Sequence, residues 1–403
     1  MGRLWEDTPA LPITCDFGEN PFDPNSTAEL VHVRGQTRKH LREAIRGECK
    51  NEPGVYGMLD ADGVLIYVGK SKQLRTRILS YFTPGQRKEK SGRIIRHTHS
   101  LMWEPAGTEF AALLRELHLI QTRRPAWNVK DMPKRMRANY VCIGRPQAPG
   151  VFVTNRPADH VSHAFGPLRG SRRLKSAVEA LNRHSRLRDC ANTVPMRFTE
   201  QRGLFDSSDR PGCLRLEMGT CLGPCVGACS RRSYMQQVGV AQKFLEGEDL
   251  SLLDTITEQM QTAAAGRLFE LAARLRDELE SLTILREMLD RLRIAREEFT
   301  FIYPHGSGDR EIWYLVRGGR VAGVVAPPTD ADSADVARKE IDRIYNHRLP
   351  VEDLATRRPD TLMLVGSWFH RKPDRLEDTL TLATARRRCT MASRQSVETV
   401  CEQ

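Results

Sequence analysis

The chain has 403 residues, 40% hydrophobic and 28% charged, with 62 Lys and Arg against 51 Asp and Glu. That length gives room for two or three domains, and that composition argues against a chain disordered throughout. The net charge of +11 suits an anionic partner, and the absence of any run of eighteen apolar residues argues against a membrane span. The first thirty residues hold several acids and no apolar core segment, so neither a secretory signal nor a transit peptide is expected and a cytosolic location is. There, the ten cysteines point to metal ligation where they cluster rather than to disulfides.

Residues 1 to about 35 read as an irregular arm, and Thr37 to Cys49 as a short helix with Leu41, Ala44 and Ile45. Val55 to Leu59 and Val64 to Val68 are two apolar runs separated by Asp60 to Gly63, which is turn chemistry, so a β-hairpin is expected. Gly69 is expected to end the second strand. A helix then follows from Lys70 to Phe82, carried by Leu74, Ile78 and Tyr81, with Pro84-Gly85 as its stop. Ser91 to Ser100 reads as another basic helix. Residues 70 to 100 hold nine Lys or Arg against the single acid Glu89, a surface suited to phosphates. Clusters at Lys134 to Arg137 and Arg169 to Lys175 extend that tendency. Thr108 to Arg123 is a clearer helix, with Phe110, Leu113, Leu114, Leu117 and Ile120 as its buried stripe, Glu116 at the stripe's edge and Pro125 as its end.

Further on, Tyr140 to Ile143 and Val151 to Val153 are strand-like, and Leu174 to Leu187 is helical. Cys190, Cys213, Cys221, Cys225 and Cys229 then arrive in a stretch broken by Gly and Pro, where thiolates would suit an iron-sulfur cluster or zinc alike. Ser251 to Arg293 reads as a helical hairpin: Leu252, Ile256 and Met260 mark one helix and Ala264-Ala265-Gly266 the turn. Leu268, Ala272, Leu275, Leu279 and Leu282 mark the other helix. Phe299 to Tyr303, Ile312 to Val316 and Arg320 to Val325 look like strands, the last two joined at Gly318-Gly319, with a helix at Val336 to Tyr345. No catalytic pattern is legible in this last part.

The triplets Gly54-Val55-Tyr56 and Tyr67-Val68-Gly69, followed in order by Lys70, Arg77, Tyr81, Glu116 and Asn128, resemble the GIY-YIG nucleases. The resemblance implies a metal-dependent endonuclease, with Glu116 holding one divalent cation, magnesium or manganese, and Tyr67 as general base. Tyr56 and Tyr81 would orient water and phosphate, Lys70 would supply positive charge, Arg77 would clamp the scissile phosphate, and Asn128, within Trp127-Asn128-Val129, would close the site. Which tyrosine takes the proton stays open.

Gly219-Thr220-Cys221-Leu222-Gly223-Pro224-Cys225 and Phe165-Gly166-Pro167 resemble the UvrC/Cho family of nucleotide excision repair. That resemblance implies an iron-sulfur cluster, 4Fe-4S in preference to zinc, on Cys190, Cys213, Cys221 and Cys225. The gap from Cys190 to Cys213 is long, with Ser207-Ser208-Asp209 resembling a loop insertion, and Cys229 is the substitute ligand. Phe269 to Asp277 resembles the UVR motif and so implies pairing with UvrB.

The expected fold class is α+β: an arm and short helix at 1–49, a GIY-YIG domain at 50–135 and a cysteine-rich region at 136–235. A UVR-type hairpin at 236–297 and a small α+β region at 298–403 would follow. The last region is too short for the second nuclease and the helix-hairpin-helix modules of complete family members. One incision in damaged double-stranded DNA, on the 3′ side, is therefore expected, with no membrane involved. The alternatives are a non-catalytic adaptor for DNA or UvrB and a free-standing nuclease.

Overall fold

A computed structural model describes residues 16–24, 29–35, 37–83, 90–131, 138–145, 147–157, 161–201, 213–346 and 359–401. The Lys134 to Arg137 cluster, the Pro84-Gly85 stop and Ser207 to Asp209 lie outside the described residues. Two compact units are present, one formed by 1–133 with 295–403 and the other by 134–294.

The first unit begins with β1 (Val31–Arg34) and α1 (Arg38–Glu48), whose N-cap Thr37 accepts from the His40 N–H. Next come β2 (Gly54–Leu59), β3 (Leu65–Ser71), α2 (Leu74–Ser80), α3 (Lys90–His97), β4 (Ser100–Pro105), α4 (Glu109–Arg123) and α5 (Ala126–Asp131). The strands form one antiparallel sheet in the order β1-β4-β2-β3.

β2 lies inside the sheet and is buried on both faces, which explains why it reads as a continuous apolar run. Tyr56 and Met58 pack with Leu41, Ile45, Leu74, Ile78, Ile94 and Trp103 on one side. Val55 and Leu59 pack with Phe17, Leu65, Met102, Ala112 and Leu119 on the other.

Four expectations need correction here. The arm expected to be irregular to about residue 35 ends in β1, which pairs with β4. Gly69 does not end the second strand: β3 continues to Ser71, and Gly69, Lys70 and Ser71 pair with Tyr56, Val55 and Gly54. The following helix accordingly starts at Leu74 and stops at Ser80. Ser100, expected to close a basic helix, instead opens β4, which pairs with both β1 and β2. Leu101, Met102 and Trp103 are all buried there, and two-sided burial removes the alternation by which a strand is usually recognised.

The second unit contains an antiparallel sheet of β5 (Asn139–Gly144), β6 (Val151–Thr154) and β7 (Val161–Leu168), with β5 central, followed by α6 (Ser171–His184). A four-residue α7 (Leu214–Glu217) precedes α8 (Arg231–Glu246), α9 (Ser251–Ala265) and α10 (Phe269–Glu298). The expected helical hairpin is α9 with the first part of α10. The turn lies after Ala265, where Arg267 takes a φ of 59°. α8 runs unbroken across residue 235, where a boundary was expected.

The chain then returns to the first unit with an antiparallel sheet of β8 (Phe301–His305), β9 (Ile312–Arg317) and β10 (Arg320–Val325), in the order β10-β9-β8. α11 (Ala331–Asn346), α12 (Pro359–Arg371) and α13 (Leu382–Cys401) complete it. α11 and α13 share a core with the sheet through Trp313, Leu315, Ile341, Ala385 and Cys389. Within this unit Phe110 of α4 lies 5.4, 5.0 and 5.1 Å from the rings of Tyr303, Tyr314 and Trp368, so the start of α4 is embedded in the C-terminal part. Among the described residues no helix is long and apolar enough to cross a membrane.

Candidate active site

The hairpin β2–β3 and helix α2 bring three tyrosines together. Tyr56 and Tyr67 come from the two paired strands, and Tyr81 stands at the C-terminal cap of α2. Their ring centroids are 6.2 Å (Tyr56–Tyr67), 6.0 Å (Tyr56–Tyr81) and 6.4 Å (Tyr67–Tyr81) apart. The Tyr56 and Tyr81 hydroxyls are hydrogen-bonded at 2.8 Å, and Tyr67 also bonds Tyr81, making a chain of phenols. Burial pushes the pKa of all three above the ordinary phenol value, so in this state the chain holds its protons.

The signature glycines are needed for space. A Cβ on Gly69 would lie 2.5 Å from the Tyr56 hydroxyl, and one on Gly54 would lie 2.5 Å from the Glu104 carbonyl oxygen.

Arg77, four residues before Tyr81 on α2, donates to the Tyr81 hydroxyl at 3.5 Å, with its guanidinium 5.2 Å from that ring's centroid. Glu116 enters from α4 and accepts the backbone N–H of Lys70 at 3.1 Å. Burial raises its carboxyl pKa to about 7, against the lowering effects of the Lys70 charge and N–H and of Arg77. The Lys70 ammonium lies 3.6 Å from Glu109 Oε1, seven residues before Glu116.

Asn128 is 2% exposed and spends its amide on one backbone position: the Val68 N–H donates to Oδ1 at 2.7 Å, and Nδ2 donates to the Val68 carbonyl at 2.8 Å. It therefore ties α5 to β3 directly behind Tyr67. All seven expected residues, Tyr56, Tyr67, Lys70, Arg77, Tyr81, Glu116 and Asn128, fall in this one region.

The donor set facing this space is a part-buried carboxylate and phenol oxygens, all hard oxygen ligands. It fits a cation such as magnesium, which takes one or two carboxylates and keeps several waters.

Sequence reading missed the ion pair that braces the site's sheet. Arg115 is 1% exposed and binds both carboxylate oxygens of Glu104 on β4, at 3.1 and 2.9 Å. It also donates to the carbonyls of Glu19 and Gly18, at 2.8 and 2.6 Å. The arm's residues 18–20 are thereby tied to the sheet. Arg115 sits on a helix face otherwise read as apolar, and only a strand reading of Ser100 to Pro105 would have exposed its partner.

The cysteines behave differently. None of Cys190, Cys213, Cys221, Cys225 and Cys229 is in a disulfide. Burial raises the Cys221 thiol, and the nearby Cys225, Cys190 and Cys213 push in the same direction against the Gly223 N–H. Among the described residues, however, no group of three or more His, Cys, Asp or Glu is arranged to hold a metal. The expected iron-sulfur centre on Cys190, Cys213, Cys221 and Cys225, with Cys229 as substitute, is therefore not supported. These thiols sit on bends, turns and the start of the one-turn α7, and the Cys190 sulfur accepts the Arg188 Nε–H at 3.3 Å.

Comparison with known proteins finds matches over two consecutive stretches of the chain. Residues 52–129 match the UvrC-like GIY-YIG domain, and residues 139–244 match the middle domain of the UvrC/Cho excinucleases. The UvrABC system protein C of Moorella thermoacetica is 29% identical over 329 residues, covering 80% of this chain and 52% of that one. The protein of the same name from Natronomonas pharaonis is 32% identical over 291 residues, covering 72% of this chain and 44% of that one. The chain thus spans about half the length of these curated relatives.

Among solved structures, the magnesium-bound GIY-YIG N-terminal endonuclease domain of UvrC from Thermotoga maritima is 35% identical. The match covers 23% of this chain and all of that one, at a TM-score of 0.21. Two consecutive stretches of the chain are thus similar to UvrC-type domains, residues 52–129 to the UvrC-like GIY-YIG domain and residues 139–244 to the UvrC/Cho excinuclease middle domain.

Proposed function

We propose that this protein is a cation-dependent DNA endonuclease of nucleotide excision repair, making one incision in damaged duplex DNA on the 3′ side of the lesion, together with UvrB. The observation that carries the reading is the hydrogen-bonded tyrosine chain with Arg77 against Tyr81 and Glu116 fixed to the Lys70 N–H.

Hydrolysis of a phosphodiester requires an activated water, neutralisation of charge on the phosphate and help for the leaving oxygen. Tyr67 takes the proton of the attacking water in its phenolate form, having given up its own proton to solvent, a form that the Arg77 charge favours against burial. Arg77 takes the scissile phosphate with its planar guanidinium. Glu116 holds the magnesium or manganese ion, which when bound supplies positive charge for the developing phosphate and leaving oxygen. Lys70 adds a fixed cation at the end of β3, and Asn128 keeps Tyr67 in place through Val68.

The UvrB partnership is supported by the start of α10, which resembles the UVR motif: Leu268 and Phe269 are 57% and 69% exposed, whereas Leu275 is buried. An apolar pair standing in water at a hairpin tip suits a partner helix.

The test is a duplex bearing one bulky adduct, labelled separately at each strand end and treated with and without UvrB. A single UvrB-dependent cut 3′ to the adduct is expected. Cuts on both sides, or a cut indifferent to both adduct and UvrB, would contradict the reading.

A further inference from the structure

Glu109 opens α4 and is 18% exposed, and three ammonium groups converge on it. Lys372 and Lys72 reach Oε2 at 2.7 and 3.0 Å, while Lys70 lies 3.6 Å from Oε1. Burial alone would raise this carboxyl, but hydrogen bonds from Lys372 and Lys72 hold it at about 2, so it is ionised across the working range.

Lys372 belongs to the C-terminal part of the unit, directly after α12. Its ammonium lies 3.8 Å from the Trp368 ring centroid, and Trp368 in turn packs on Phe110, the neighbour of Glu109. Glu109 and Glu116 are seven residues apart, two helical turns, and so lie along one side of α4. Lys70 spans both: its backbone N–H goes to Glu116 and its ammonium to Glu109.

We propose that Glu109, oriented by Lys372, is a positioning residue that draws the Lys70 ammonium to itself and thereby keeps the Glu116 carboxylate available to a divalent cation. The inference rests on the reading of Glu116 as the cation's ligand. An ammonium ion-paired with Glu116 would compete with the cation for the same oxygens. Two carboxylates on one helix divide the lysine's groups instead, the backbone N–H bonding one and the ammonium pairing with the other. Because Lys372 takes Oε2, Oε1 is left facing Lys70. The C-terminal part, in which no catalytic pattern is legible, thus contributes a residue to the nuclease site.

The test needs neither DNA nor turnover: binding of manganese(II) to the full chain, followed by electron paramagnetic resonance of the free ion. Glu109→Gln should weaken binding by about 10- to 100-fold, the range for residues that support a metal ligand. Lys372→Met should weaken it less, in the same direction. Lys70→Met should bind at least as tightly as wild type, and Lys70→Met combined with Glu109→Gln should recover most of the loss. A Glu109 that merely supports the fold would give no recovery in the double variant.

Wild-type binding in Glu109→Gln, with binding lost in Glu116→Ala, would overturn the proposal and leave the cation site standing. Wild-type binding in Glu116→Ala would remove both. Should Glu109→Gln fail to fold, Lys372→Met, altered outside the GIY-YIG domain, decides between the same alternatives: weakened binding supports the proposal and undiminished binding overturns it.

Discussion

In the stretch similar to the GIY-YIG domain the polar side chains project from the inner strand β2, the edge strand β3 and the helices packed on them. In the cysteine-rich stretch, Cys190, Cys213, Cys221, Cys225 and Cys229 project from bends, turns and the start of a single helical turn. The first arrangement is set by sheet register and by buried polar ties such as Asn128 to Val68 and Arg115 to Glu104, so the tyrosines meet without any ligand. The second has two buried thiols, Cys229 and Cys221, the latter accepting a backbone N–H from Gly223, and a Cys190 sulfur engaged by Arg188. The difference teaches that preorganisation comes from regular elements tied together by buried hydrogen bonds.

This contrast can be broken most forcefully at Glu116. Glu116→Ala should lower the incision rate by about 10³-fold or more with the thermal midpoint little changed, since it removes a charge-stabilising group and not a core side chain. Arg77→Ala should follow at about 10²-fold in single-turnover cleavage. Arg77→Lys should recover little of that, because an ammonium lacks the bidentate fork.

The pH dependence comes next. Burial holds the Glu116 carboxyl near 7 in the cation-free protein, so cation binding must release a proton below that pH. Magnesium affinity should therefore rise by about tenfold per pH unit up to about 7 and level off above it, which calorimetric titration at several pH values would reveal. An affinity flat between pH 5 and 7 would mean that the carboxylate is ionised throughout.

Smaller still, Asn128→Ala leaves the Val68 N–H and carbonyl buried without partners. It should cost roughly 2–4 kcal/mol of stability in denaturant unfolding. On the cysteine side the effect should be least. Cys229, whose thiol burial pushes up to about 11, should react slowly with alkylating reagents at pH 8 in the folded protein and readily once unfolded.

The hairpin and α4 were legible because each is coded locally, whereas the seven site positions were named from the resemblance to the GIY-YIG nucleases. The Asp60 to Gly63 turn separates two apolar runs. β4 was not legible, because its buried Leu101, Met102 and Trp103 follow directly on a basic helix and show no alternation. The strand character of Lys70 and Ser71 was hidden for a related reason: their pairing to Val55 and Gly54 is a tertiary fact, while the local pattern of Leu74, Ile78 and Tyr81 extends helix-like spacing toward them.

Glu109 and Lys372 lie 263 residues apart, and nothing local to either residue announces the pairing. Glu109 did carry one available signal, as the first-turn acid after the N-cap Thr108, on the same side of the helix as Glu116. The cysteine stretch was legible as a pattern only, since spacing along a loop does not determine distance in space.

The most direct measurement is single-turnover cleavage of an end-labelled adduct duplex, with UvrB, across a magnesium titration, for wild type and Glu116→Ala. The account predicts saturable, magnesium-dependent cleavage by wild type at one phosphodiester, and none above background at any magnesium concentration for the variant. Cleavage by Glu116→Ala at the wild-type rate, or wild-type cleavage undiminished in a chelator, would contradict it.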